Sequence, residues 1–198
     1  MSTITQPAPM IPGTGVPPRD TRRFSIDEFE WFAERVGDDV ELIDGYIVER
    51  PEMKPSHVLV SGRLKLRLEP VLPAGWSLRE DKPLRIDNIN EPRPDFAVVK
   101  GGIEDYPDRH PGPADTAMVI EVSDSSLPRD QGEKRLIYAR GGVPLYWIVN
   151  LVDRQIEAYS DPVAGGYGSR VEYPAGKNVP IVIGGVEVGT VTVSDIFP

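Results

Sequence analysis

The sequence predicts a mixed α/β (α+β) domain in which a central β-sheet is flanked by helices. Two observations carry this prediction. Segments with helical spacing alternate along the chain with short β-rich runs. Residues 95–100, 117–123 and 145–150 are almost continuously apolar, as strands become when both faces of their sheet are covered.

Residues 1–24 read as a tail, with Pro7, Pro9, Pro12, Pro17 and Pro18 set among Gly, Ser and Thr. Such a stretch buries too little apolar surface to offset its ordering entropy, so it is expected to be disordered. The domain is expected over residues 25–198. Ser25 with Glu28 makes a capping box, and Ile26, Phe29, Phe32, Ala33 and Val36 recur at helical spacing. A helix over 26–36 follows, ended by Gly37. Two β-rich runs, 40–43 and 46–49, flank Asp44-Gly45, a two-residue hairpin signal. In 56–69 the spacing of Val60, Leu64 and Leu68 is helical while Leu64, Leu66 and Leu68 also alternate; the length favours a helix. Residues 76–80 and 84–86 read as short strands. Residues 129–140 read as a helix stopped by Gly141-Gly142. Residues 145–150 should pair with 155–160 across Val152-Asp153-Arg154. Residues 166–190 are β-like, and 193–197 should close the chain with a helical turn.

Composition removes several function classes. No cysteine is present, which excludes disulfides and Cys-ligated metal centres and is compatible with a reducing cytosol. Forty of the 198 residues are Gly or Pro, too many for a coiled coil. The apolar runs are too short to span a bilayer, and no secretory signal is visible, so the expected location is cytoplasmic. The net charge of −9 argues against unspecific nucleic-acid binding.

Two carboxylates stand out against this background. Asp95 heads the run Phe-Ala-Val-Val, and Glu121 interrupts Ala-Met-Val-Ile and Val-Ser. Charged carboxylates among core strands cost several kcal/mol, on the order given for buried ions, unless a cation compensates them. One solution is a hard divalent cation between them, with Lys134 on the next helix. That arrangement can hydrolyse a phosphodiester: the ion lowers the pKa of a water, and the lysine orients it or offsets developing charge. The other solution is a purely structural ion pair, Glu121 meeting Lys134 or Arg135. Spacing alone leaves both open.

At these residues the chain resembles the Uma family of restriction endonucleases, within the PD-(D/E)XK nuclease superfamily. The resemblance rests on Glu41-Leu42-Ile43-Asp44-Gly45, Pro94-Asp95, Val119-Ile120-Glu121-Val122-Ser123, Asp130-Gln131-Gly132-Glu133-Lys134 with Tyr138, and Gly142-Val143-Pro144-Leu145-Tyr146-Trp147, in that order. It implies a restriction-endonuclease-like fold, with a central mixed sheet flanked by helices, and DNA as substrate. It also implies Mg²⁺, with Mn²⁺ as a substitute. Asp95 and Glu121 fall at its metal-ligand positions. Its usual lysine position is Ser123 here, and Lys134 is the matching cation. Glu41 is the candidate additional acid.

Around this set stand His57, which could touch a phosphate or simply start its helix, and Asp130, which could orient Lys134 from one turn away. Tyr138 shares the Lys134 face or merely fills core. Arg63 and Arg67, four residues apart, could meet backbone phosphate. A homodimer would suit cleavage of two strands. The alternative function is a catalytically inactive nuclease-fold protein that binds DNA or another partner. A two-carboxylate glycosidase would need neither metal nor Lys134.

Overall fold

The computed structural model describes residues 22–36 and 39–198. Its first element, α1 (Ile26–Val36), starts at the expected capping box: the Glu28 amide donates to Ser25 Oγ at 3.4 Å, and the Ser25 amide donates to Glu28 Oε2 at 3.0 Å. Residues 1–21 of the expected tail and the Gly37 stop lie outside the described residues. Phe24, assigned to the tail by sequence, packs against Ile26, Phe29, Val40 and Leu42, and its amide donates to the Gly45 carbonyl at 2.7 Å. The packed region therefore begins ahead of Ser25.

Next come β1 (Val40–Ile43) and β2 (Tyr46–Glu49), paired antiparallel. Both turn residues take positive φ, 49° at Asp44 and 79° at Gly45. That is the two-residue geometry whose twist matches paired strands. Backbone bonds between Leu42 and Glu91, in both directions, tie the hairpin to the body of the protein.

The central sheet follows. Its strands are β3 (Trp76–Glu80), β4 (Phe96–Lys100), β5 (Thr116–Ser123), β6 (Leu145–Asn150), β7 (Gln155–Val163) and β8 (Gly166–Tyr173), in that spatial order. Only β5 and β6 are parallel. They are joined by a helical run made of α3 (Leu127–Arg129), a π-helical turn (Asp130–Lys134) and α4 (Arg135–Gly141). This parallel crossover is what a mixed sheet requires.

Both faces of the sheet are covered. On one, α2 (Pro55–Leu68) places Val60, Leu64 and Leu68 against Phe96, Val98 and Ile120. The hairpin of β9 (Asn178–Ile183) and β10 (Val186–Thr192) and the final turn α5 (Val193–Ile196) complete that layer. On the other face, Ile137 and Tyr138 pack on Ala97, Val99, Val119 and Ile148. Because side chains alternate along β5, Glu121 and Ser123 share the face of Val119, under the helical run.

Two expectations need correction. Residues 84–86 are not a strand. Leu84 and Ile86 are buried, but their amides bond to the Pro92 and Asn90 carbonyls across a tight loop, and Pro92 has no N–H to return the second bond of a ladder. Arg63 and Arg67 do not offer a phosphate-binding face: Arg63 donates to the Phe197 carbonyl at 2.7 Å, and Arg67 pairs with Asp195 at 3.3 Å. Their helix faces the end of the chain, so Arg63 is turned to a main-chain carbonyl and Asp195 offsets the charge of Arg67.

Candidate active site

All eight candidate side chains converge at one end of β4 and β5. Asp95 sits just before β4, its Oδ2 accepting the Val122 amide at 2.6 Å and its Oδ1 lying 3.1 Å from His57 Nε2. His57 reaches it from the first turn of α2. Burial works against a charged His57, but the hydrogen bond to and charge of Asp95 outweigh it and raise its pKa. Asp95 and His57 each remain 12 % exposed, at the mouth of the site.

Deeper in lies Lys134. Its Nζ donates to Glu121 Oε1 at 3.1 Å and pairs with Glu41 Oε2 at 2.9 Å. Burial opposes its charge, but the surrounding carboxylates Glu121, Glu41 and Asp130 more than offset that and hold it protonated. Tyr138, one turn further along the same helix face, donates to Glu121 Oε1 at 2.8 Å. Its hydroxyl is thus both core and site. Burial pushes Glu121 up to about 8, against the pull of Lys134, with Asp130, Asp95 and Glu41 adding to the rise. The structural ion pair anticipated between Glu121 and Lys134 is present; Arg135 is not part of it.

Glu41 is placed by the hairpin. Its Oε2 also accepts the Arg93 amide at 3.1 Å, a contact set by the Leu42–Glu91 backbone bridge next to it. Asp130 does not orient Lys134 by a hydrogen bond, as one α-helical turn of separation suggested. The segment winds as a π turn instead, and Asp130 Oδ2 accepts from Ser123 Oγ at 2.7 Å. Such turns insert one extra residue per turn and recur at functional sites. Here the turn leaves both Asp130 and Lys134 buried, facing β5.

Sequence reasoning missed the arginines. Arg50 pairs with Asp81 at 2.6 Å, and Arg129 lies 3.7 Å from Glu41 Oε1 with only 13 % of its side chain exposed. Both line the cavity over the carboxylates, as does Lys54, which pairs with Asp124 at 2.7 Å. Nothing in residue spacing distinguishes them from surface arginines; the sole hint for Arg129 was its place beside Asp130.

The cavity holds about 60 Å³, room for several waters. Six carboxylates line it, Asp95, Glu121, Glu41 and Asp130 at its base with Glu52 and Asp124, against five Lys or Arg side chains, so the charges nearly balance and the donor atoms nearest Lys134 are oxygens. Asp130 Oδ1 is buried with no hydrogen-bond partner. This donor chemistry suits a hard divalent cation. Among the described residues no three acidic or His side chains already form a compact ligand cluster.

Two comparisons bear on this arrangement. The family model Uma2, described as "Putative restriction endonuclease", matches residues 26–191. The crystal structure of a "putative nuclease belonging to DUF820" from Anabaena variabilis is similar in fold, with a TM-score of 0.64. The similarity covers 88 % of this chain and 97 % of that one at 13 % sequence identity. No curated protein matches. Among the described residues, no helix is long and apolar enough to cross a membrane.

Proposed function

Because the chain belongs to the Uma2 family of restriction-endonuclease-like proteins, we propose that it hydrolyses DNA phosphodiester bonds in this cleft. The observation that carries the proposal is the placement of Lys134 between Glu41 and Glu121, beside Asp95, at the ends of β4 and β5. Glu41, Asp95, Glu121, Asp130 and Lys134, which carry the polar part of the family resemblance, line one cavity, and this supports the reading.

Asp95 and Glu121 would hold the metal, Mg²⁺ or its substitute Mn²⁺. When bound, the ion would polarise the phosphate and lower the pKa of the attacking water. The chain's own residues have separate tasks. The Val122 amide and His57 fix the Asp95 carboxylate, so its orientation does not depend on a ligand. Tyr138 fixes Glu121. Lys134 keeps its proton and offers positive charge where negative charge develops on the phosphoryl oxygens. Glu41 positions the lysine, and Ser123 holds Asp130 rather than replacing the lysine, since a hydroxyl carries no charge at neutral pH.

The test is cleavage of single- and double-stranded DNA with Mg²⁺ and Mn²⁺, comparing the native protein with Asp95→Ala. Activity that survives in the variant removes Asp95 from the mechanism. A second reading, a nuclease fold that binds without cutting, is favoured by the double engagement of Lys134. It requires DNA binding with no cleavage under either metal. Two-fold assembly on DNA is part of the first reading, and the mass of the complex in solution tests it.

A further inference from the structure

Arg129 is anomalous on physical grounds. Its guanidinium carries five N–H donors. Only 13 % of its side chain is exposed, and its Nε is buried with no hydrogen-bond partner. Its nearest carboxylate oxygen, Glu41 Oε1, stands 3.7 Å from Nη1, beyond hydrogen-bonding range. Glu41 directs its other oxygen to Lys134 and the Arg93 amide. Burying an unused donor costs about 1–3 kcal/mol, more when charged, so Nε of Arg129 sits where it is at a cost to stability.

The cavity explains what the donors face. Arg129 lines it together with Asp95, Glu121 and Lys134. We propose that Arg129 is the phosphate clamp of the cleft: its guanidinium takes two non-bridging oxygens of a backbone phosphate and holds the strand over the carboxylates. A planar fork of donors matches that pair of oxygens, which a lysine in the same place would not. This assignment rests on the phosphodiesterase reading for its ligand class, but binding tests it separately from catalysis.

The experiment is fluorescence anisotropy of a labelled 20-base-pair DNA duplex and its single strand, with Ca²⁺ as a cation partner, over a range of salt, for the native protein, Arg129→Gln and Arg129→Lys. Circular dichroism melts establish that each variant is folded, and Arg129→Lys retains the charge should Arg129→Gln fail to fold. The expected result is an affinity loss of about 10-fold or more in Arg129→Gln, partial recovery in Arg129→Lys, and a log–log salt slope shallower by about 1 for the uncharged variant. Native protein that binds DNA with unchanged affinity and slope in Arg129→Gln overturns the clamp and leaves the nuclease reading standing. Arg129-dependent binding without cleavage in Mg²⁺ or Mn²⁺ upholds the clamp and overturns the nuclease reading. Native protein that binds neither form of DNA overturns both.

Discussion

Lys134 and Glu41 lie 93 residues apart in sequence, yet the lysine Nζ stands 2.9 Å from Glu41 Oε2. The contact joins the π turn of the crossover to the first hairpin, and the same lysine extends to Glu121 on β5. One buried cation therefore binds three parts of the chain.

Removing that cation leaves at least two buried carboxylates facing each other. Lys134→Met is expected to destabilise the fold by about 3–5 kcal/mol, the cost of breaking a buried pair from one side. Glu121, already pushed up to about 8 by burial, can take a proton and hold the loss toward the lower figure. Urea unfolding at pH 7 measures it. Adding Glu41→Gln should recover part of the loss, so that the double variant is more stable than the sum of the single effects implies.

Glu157 makes a separate, pH-dependent prediction. It is fully buried and accepts from Tyr159, Asn150, Gln131 and Arg170. Burial raises its pKa, but these donors prevail and hold it below the ordinary value of 4.5. The unfolded state thus binds the proton more readily. The stabilisation is complete above about pH 5 and fades as pH falls through the folded value. Glu157→Gln should cost about 2–3 kcal/mol at pH 7, the worth of charge-assisted hydrogen bonds, and much less near pH 3. A difference between the two proteins that stays constant across this range would contradict the assignment.

The hairpin that delivers Glu41 depends on one glycine. Gly45 takes φ of 79°, and a Cβ there would lie 2.7 Å from the Arg23 Cβ. Gly45→Ala combines backbone strain of about 1–3 kcal/mol with displacement of the Arg23 side chain. Its melting temperature should fall. Because the turn sets where β1 lies, activity should fall with it, even at temperatures where the variant remains folded.

What could be read from the sequence divides along the range of the interactions. Asp44-Gly45 and the Ser25–Glu28 box act within four residues, and both were legible. Asp95 and Glu121 were also legible, because one heads and the other interrupts an apolar run that has to be a buried strand, whereas Lys134 stood out through the family resemblance. Interactions decided by packing were not. The π turn replaced the α-helical spacing of Asp130 and Lys134, and no residue preference marks it. Arg63 and Arg67 had the spacing of a binding face, but the chain's own end occupies it. Leu84 and Ile86 alternate as a strand does while the backbone satisfies itself in a loop. Arg129 differs from any helical arginine only in what surrounds it.

Tyr138 separates positioning from chemistry. Its hydroxyl donates to Glu121 at 2.8 Å, while its ring packs 5.0 Å from that of Tyr146. Tyr138→Phe keeps the ring and deletes the donor. The stability cost should be near 1 kcal/mol, since Lys134 still serves the same Glu121 oxygen. Metal response should change more. Native protein is expected to gain thermal stability with Mg²⁺ or Mn²⁺, by about 2.7 kcal/mol at one hundred times the dissociation constant. In the variant Glu121 is less firmly held, so a higher metal concentration should be needed for the same gain. Glu121→Ala should abolish the gain. A native protein whose melting temperature ignores both ions, with Glu121→Ala behaving identically, would remove the metal from this site and the proposed hydrolysis with it.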